Sequence, residues 1–334
     1  MNTIDFSTLP NSLKDFSQQN NGKIYQGLFG SGMVYKEYCQ QMYGDDEIVL
    51  TNFKMKKVIQ SGEFDPNDTT CGFTPTPNVA KLGARIMKLR NGKINIKIHE
   101  QEIEQMYRNT IGKNRTSGKR EGILQLPEPF GQTFFSAVNE RAASELGEAM
   151  VRGVYTPFAP TNLGIVSGII DTLKSGIGVD IPATQIMPLV PIDETNAVAQ
   201  VRQLITLIRQ TKPYYLRQKM ILICGPKVKD CYEQNFANAY NGGMRAATMQ
   251  YGQSYAEGYP NIVFQVDENF GESNAMIVTT QGNLAWGTDN EGRFSRVELQ
   301  RYEYCLKIMI DFKIGFDYVL GEEIWANNLL SPLL

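Results

Sequence analysis

Hydrophobic side chains recur at a helical spacing between residues 132 and 152. Intervals of three and four residues place them on one face and predict a helix roughly 30 Å long, at ~1.5 Å per residue. The predicted apolar face consists of Phe134, Phe135, Val138, Ala142, Leu146, Ala149 and Met150. Gly153 and Pro157 follow and are expected to end the helix. The same pattern predicts a favourable ion pair between Glu148 and Arg152.

A different spacing occupies residues 303–318, where hydrophobic residues alternate with other residues from Tyr304 to Tyr318. Strict alternation predicts a strand with one buried face. This run is longer than the usual five or six residues of a strand. It therefore predicts a strand that spans a large sheet or a subunit edge.

The second half of the chain mixes both patterns and predicts an α+β organisation. Two helices are predicted over 195–210 and 226–240, the second with Pro226 in its first turn. Shorter apolar runs predict strands over 219–224, 261–266, 275–280 and 283–288.

The first third is more polar, with short helices predicted over 11–18 and 33–43, the second ended by Gly44. Two alternating runs, 84–89 and 93–98, flank the dipeptide Asn91-Gly92. Asn-Gly between alternating runs is a strong hairpin signal, so these runs are predicted to pair with each other.

Composition indicates a globular protein, with 42% hydrophobic and 20% charged residues. Because 33 Lys and Arg face 35 Asp and Glu, the net charge is −2, which argues against a generally basic nucleic-acid binder. Residues 81–120 nevertheless carry 11 basic and three acidic residues, a local charge of +8. This segment is expected either to dock on an acidic surface or to form a solvated basic hairpin.

With no apolar run near ~20 residues and no signal peptide, a cytoplasmic protein without a membrane span is predicted.

Candidate catalytic chemistry is sparse. His99 is the only histidine, which argues against a multi-histidine metal site, and neither a G-x-S-x-G motif nor a phosphate-binding G-K-[ST] loop occurs. The five cysteines are odd in number and form no C-x-x-C, so free thiols are expected. They are Cys39, Cys71, Cys224, Cys231 and Cys305. We therefore predict no catalytic, cofactor-binding or metal-binding residue.

One alternative is an α/β enzyme with its catalytic domain over 160–290 and its site in the glycine-rich loop 241–258. Its candidate residues would be Arg245, Tyr251 and Glu257.

Five stretches, taken in order, resemble one family of proteins. They are KIHEQEIEQMY, FFSAVNERAASELGEAMVRGVYTP, TNLGIVSGI, KMILICGPKVKDCYE and MIVTTQGNLAWGTD. With the long strand that follows them, they resemble the major capsid proteins of tailed bacteriophages. Their fold is the Hong Kong 97 type, which encapsulins and herpesvirus capsid floors also use.

The resemblance implies an α+β Hong Kong 97-like fold in four parts. An N-terminal arm would cover 1–47, and an extended loop would cover 48–98 and overlie an adjacent subunit. A peripheral domain would combine 99–163 and 291–334, with helix 132–152 and strand 303–318 in its core. An axial domain would cover 164–290, with loop 241–258 near the centre of a capsomer.

The implied function is self-assembly into pentamers and hexamers of an icosahedral shell around double-stranded DNA. The implied partners are further copies of the chain, a separate scaffolding protein, a portal, decoration proteins and non-specifically bound DNA. The implied location is the virion capsid, and the host cytoplasm during assembly. An encapsulin-like compartment shell is an alternative with the same fold.

Two features depart from the family pattern. Segment 109–130 is longer than expected, and the cross-linking lysine and asparagine of some family members have no residue-level match, although Lys54, Lys56 and Lys57 lie in a plausible region for the lysine.

Overall fold

A computed structural model gives the fold of most of the chain. The residues it describes are 33–55, 80–99, 128–188, 190–239, 249–250, 253–289, 296–302 and 305–327, with positions 24, 29, 101, 102 and 105. The predicted helix 11–18, residues Cys71, Arg245 and Tyr251, and segment 109–127 lie outside them. No helix in these ranges is long and apolar enough to cross a membrane.

Helices form where the sequence repeats at helical spacing. They are Tyr35–Tyr38 (α1), Glu128–Arg152 (α2), Ile169–Gly176 (α3), Ala197–Thr211 (α4) and Pro226–Ala239 (α5). The predictions for α2, α4 and α5 are confirmed, although α2 begins four residues before the predicted start. Gly153 directly follows α2, where a Cβ would collide with the carbonyl oxygens of Ala149 and Val166.

Strands account for the other regular elements. They are Gln40–Tyr43 (β1), Glu47–Met55 (β2), Ala80–Lys88 (β3), Arg90–His99 (β4), Ile186–Met187 (β5), Met220–Cys224 (β6), Met249–Gln250 (β7), Gln253–Ala256 (β8), Tyr259–Val266 (β9), Met276–Thr280 (β10), Leu284–Thr288 (β11), Arg296–Tyr302 (β12), Cys305–Tyr318 (β13) and Ile324–Asn327 (β14).

The long strand β13 is the centre of a five-stranded sheet. It pairs with β4 on one side and with β11 and β12 on the other, and β1 continues the sheet beyond β11. Its even-numbered residues from Leu306 to Tyr318 are buried, as the alternation predicts.

A seven-stranded sheet has the order β5-β14-β10-β6-β9-β8-β7. Helices α4 and α5 cover one face, where Leu222, Val278 and Trp325 join their core. On the other face, Ile223 and Ile277 belong to a second core, shared with α2, α3 and the five-stranded sheet. The two sheets are therefore joined by a continuous apolar core.

The hairpin predicted at Asn91-Gly92 is wrong. Strand β3 pairs with β2, whereas β4 pairs with β13 along its full length, and Gly92 lies opposite Phe312. A Cβ at Gly92 would overlap the Phe312 ring. Glycine is needed here for close approach of a side chain, a role that the local sequence does not distinguish from a turn.

The helix predicted over 33–43 is also wrong in extent. Helix α1 has only four residues, and Gln40 begins the parallel strand beside β11. Pairing with an existing strand outweighs the weak helical pattern of this segment.

Candidate functional site

The two-stranded ribbon formed by β2 and β3 has one buried and one exposed apolar face. At its base, Ile48, Leu50, Met87 and Leu89 pack on Ala285 of the five-stranded sheet. On the opposite face Val49 and Ile86 are directly paired across the strands, and both are more than half exposed. Cross-strand neighbours of this kind form one continuous surface. The ribbon therefore presents an uncovered apolar pair.

Arg85 anchors the ribbon to the body. Its Nε donates a hydrogen bond to Asp317 Oδ1 at 2.6 Å, and its guanidinium lies 3.9 Å from the centre of the Tyr318 ring. It also forms an ion pair with Asp180 on the turn after α3. Asn52 Nδ2 adds a 3.1 Å hydrogen bond to the Val319 carbonyl. These contacts fix the direction in which the ribbon leaves the sheet.

Burial raises the pKa of the Asp317 carboxyl, and Arg85 opposes this shift by stabilising the ionised form. The Asp317 side chain is only 10% exposed. Burial likewise raises the pKa of Tyr318 to about 12, with Arg85 opposing. The anchor is thus a mostly desolvated carboxyl group that accepts hydrogen bonds from Arg85 and from the backbone N–H of Tyr318.

A second exposed apolar surface lies in the segment 154–163, which we call the exit turn because it follows α2. Its ends are held by a 2.8 Å hydrogen bond from Val154 N to Leu163 O. Phe158 in the middle is fully exposed and has a φ of 61°. A bulky side chain in this left-handed region is strained.

The exit turn is held against the five-stranded sheet by Arg90, whose guanidinium lies 3.9 Å from the centre of the Tyr155 ring. Beside it, Asn162 Nδ2 donates to the Glu148 carboxylate at 3.1 Å. This contact takes the place of the predicted pairing of Glu148 with Arg152.

A groove of about 1250 Å³ runs between α2, β4 and the exit turn. Its apolar lining includes Ile94, Phe134, Val138, Ala142 and Phe158. The groove is also lined by charged residues, among them Arg141 and Glu145, which form an ion pair. An apolar centre with a polar rim is typical of protein interfaces.

Of the three residues considered for an enzymatic site, only Glu257 lies in the part of the chain that the structure describes. Glu257 accepts hydrogen bonds from Arg202, with Nε at 2.9 Å. His99 is exposed at the end of β4, opposite Cys305. The described cysteines, Cys39, Cys224, Cys231 and Cys305, are free thiols. Within the described part of the chain no cluster of three His, Cys, Asp or Glu could hold a metal ion.

Comparison by sequence gives no match to a family model or to a curated protein. Comparison of the fold does give matches along nearly the whole chain. A chain in the capsid of the myovirus phage XM1 matches with a TM-score of 0.53 at 9% identity, over 89% of this chain and 91% of that one.

The chain has the Hong Kong 97 type of capsid fold. A second match has the same fold. It is a chain from a structure of the satellite phage P4 procapsid, and that structure includes the size determination protein. Its TM-score is 0.51 at 10% identity, over 96% of this chain and 98% of that chain. The predicted α+β fold class is confirmed.

Proposed function

We propose that this protein is a major capsid protein, the shell subunit of a tailed phage, and that its role is structural rather than enzymatic. The observation that carries the proposal is the match to the XM1 capsid chain, which extends over about nine-tenths of both chains. A match of that extent concerns most of the subunit rather than one local motif.

The surfaces of the subunit support this proposal. Val49 and Ile86 on the ribbon and Phe158 on the exit turn are exposed, although burying each would be favourable. Contact with further copies of the chain supplies that burial, and head-to-tail contacts that close give the pentamers and hexamers of a shell.

The division into arm, extended loop, peripheral domain and axial domain remains part of the proposal. The proposed extended loop 48–98 includes most of the ribbon, and its last part, β4, pairs with β13 in the five-stranded sheet. We propose that the ribbon overlies an adjacent subunit with its Val49–Ile86 face. We also propose that loop 241–258 lies near the capsomer centre.

The remaining partners follow from the shell assignment. They are a separate scaffolding protein, a portal, decoration proteins and double-stranded DNA, which would contact the inner wall without sequence specificity. The proposed location is the virion capsid, with assembly in the host cytoplasm.

The test is negative-stain microscopy of the purified recombinant chain, with light scattering on the same sample. We expect closed shells, rings or tubes of megadalton mass. A monomer or dimer of the 37.5 kDa chain under all salt and crowding conditions would overturn the proposal. Particles purified from cells distinguish the two kinds of shell, because a phage capsid encloses DNA whereas an encapsulin-like compartment encloses protein.

A chain that lacks 60–79 tests the ribbon. This deletion leaves the paired residues of β2 and β3 in place. We expect it to fold with an unchanged circular dichroism spectrum and to lose ordered assembly. Unchanged shells would exclude a contribution of 60–79 to the overlap with a neighbour.

A further inference from the structure

We infer that the exit turn is a contact between two copies of the chain, in which Phe158 of each copy enters the groove of the other. This inference takes its setting from the proposed shell assembly, but it concerns a different surface from the ribbon. Three observations carry it.

The first observation is that Phe158 combines an unfavourable backbone conformation with a side chain that is not buried in its own subunit. Its φ of 61° is unfavourable for a phenylalanine, yet the conformation holds the ring fully in solvent. The turn is firmly held, with Thr156 N donating to Gly164 O at 3.0 Å and Ala159 N donating to Thr156 O at 3.2 Å. A strained backbone that exposes a large apolar ring gains nothing in the isolated subunit.

The second observation is the size and lining of the groove. At about 1250 Å³ it exceeds the ~300–1,000 Å³ typical of small-molecule sites. It is large enough for a turn of polypeptide, and its apolar lining fits an aromatic ring better than a charged segment. The turn Pro157-Phe158-Ala159-Pro160 has the required character, since it carries no charge and its two prolines restrict its backbone.

The third observation is that the exposed ring and the groove are adjacent, because Phe158 is itself one of the residues that line the groove. When the exit turn of one copy enters the groove of another, the second copy's exit turn comes to lie beside the first copy's groove. Both contacts can then form together about a two-fold axis, which is the usual geometry of a self-complementary patch. We therefore assign the groove to the exit turn of a second copy.

Two variants test the contact in the full-length chain. Phe158→Asn removes the ring but keeps a residue that tolerates the left-handed region. We expect the concentration threshold for self-association to rise at least about tenfold, as for the loss of a central interface anchor. The melting temperature of the unassembled subunit should stay the same or rise by about 1–2 °C, because strain is relieved. The control is Tyr214→Asn, which removes another exposed aromatic ring and should leave the threshold unchanged.

A cross-link tests the partner directly and does not require shells. Phe158→Cys and Ala137→Cys chains are purified separately, mixed and oxidised, with the wild-type chain as control. Ala137 is exposed on α2 and lines the groove. We expect a disulfide between the two variants, and a dimer as the main associated species in sedimentation below the shell-forming concentration.

The outcomes separate this inference from the proposed function. Shells that form equally well with Phe158→Asn, without the mixed disulfide, overturn the inference and leave the shell function standing. A mixed disulfide without any shells supports the contact and contradicts the shell function. A groove filled by another segment of the same chain gives no mixed disulfide, and higher rings without dimers exclude the two-fold arrangement.

Discussion

Arg85 and Asp317 form an ion pair across 232 positions of sequence, with Nε 2.6 Å from Oδ1. This pair joins the projecting ribbon to the strand at the centre of the five-stranded sheet. Since Arg85 also contacts Asp180 and the Tyr318 ring, three separate segments meet at one guanidinium.

Replacing Arg85 should therefore be costly. Arg85→Met leaves the Asp317 carboxylate buried without its cation, and we expect the free energy of unfolding to fall by about 2–4 kcal/mol. The control is Arg141→Met, which removes a well-exposed pair with Glu145 and should cost at most about 0.5 kcal/mol. Urea denaturation of the unassembled subunit measures both. Equal, small losses would show that Arg85 does not anchor the ribbon.

The cost of Arg85→Met should depend on pH. Burial raises the pKa of Asp317, so this group contributes stability below its unfolded pKa and loses it as the pH rises through the folded value. Removing Arg85 raises that pKa further. The difference in stability between wild type and Arg85→Met should therefore be largest at neutral pH and shrink on acidification. Denaturation curves of both proteins at neutral and at acidic pH measure this difference in stability. A difference that does not change with pH would contradict the prediction.

The N-terminal segment should depend on one buried hydrogen bond. Tyr38 OH donates to Asp267 Oδ2 at 2.7 Å, and both residues are buried. Tyr38→Phe leaves the Asp267 carboxylate with one partner fewer, and we expect a loss of about 1.5–3 kcal/mol. Tyr43→Phe is the matched control, because Tyr43 OH contacts only the exposed Gln41 side chain. A loss for Tyr43→Phe as large as for Tyr38→Phe would contradict this assignment.

Gly92 and Phe312 should be energetically coupled, because they face each other across β4 and β13. Gly92→Ala should cost about 1–3 kcal/mol through overpacking against the ring. In the double variant with Phe312→Ala that overlap is gone, so the combined loss should be smaller than the sum of the single losses. A double-mutant cycle by denaturation measures the coupling. Additive losses would favour the hairpin that the sequence suggests.

The apolar pair on the ribbon should matter for assembly and not for folding. Val49→Ser with Ile86→Ser removes the exposed cross-strand face, so we expect little change in subunit stability and a marked loss of ordered particles. Val179→Ser, which alters another exposed apolar side chain, is the control. Light scattering and microscopy compare the two, and equal assembly would contradict the proposed overlap.

Elements with a long, regular pattern were predictable from the sequence. Helix α2 repeats its apolar residues over several turns, and β13 alternates over fourteen residues, so local spacing alone defines both. Periodicity also identified α4, with Val198, Val201, Leu204, Ile205 and Ile208 all buried.

The errors occurred where distant partners decide the structure. Asn91-Gly92 has the sequence of a turn, but β13 pairs with the whole segment. Residues 40–43 form a strand because β11 lies beside them. The contacts of Arg85 and the exposure of Phe158 were likewise beyond prediction, since nothing in the neighbouring sequence indicates Asp317 or a left-handed turn.

The positions of β13 and β14 in their sheets have a consequence for the order of events during synthesis. Strand β13 pairs with β4, β11 and β12, and β14 lies between β5 and β10. Every other strand of the two sheets precedes these two in the chain. Neither sheet can therefore be completed until β13 and β14 have been synthesised. A nascent chain thus contains its ribbon and exit turn before the body that supports them is complete.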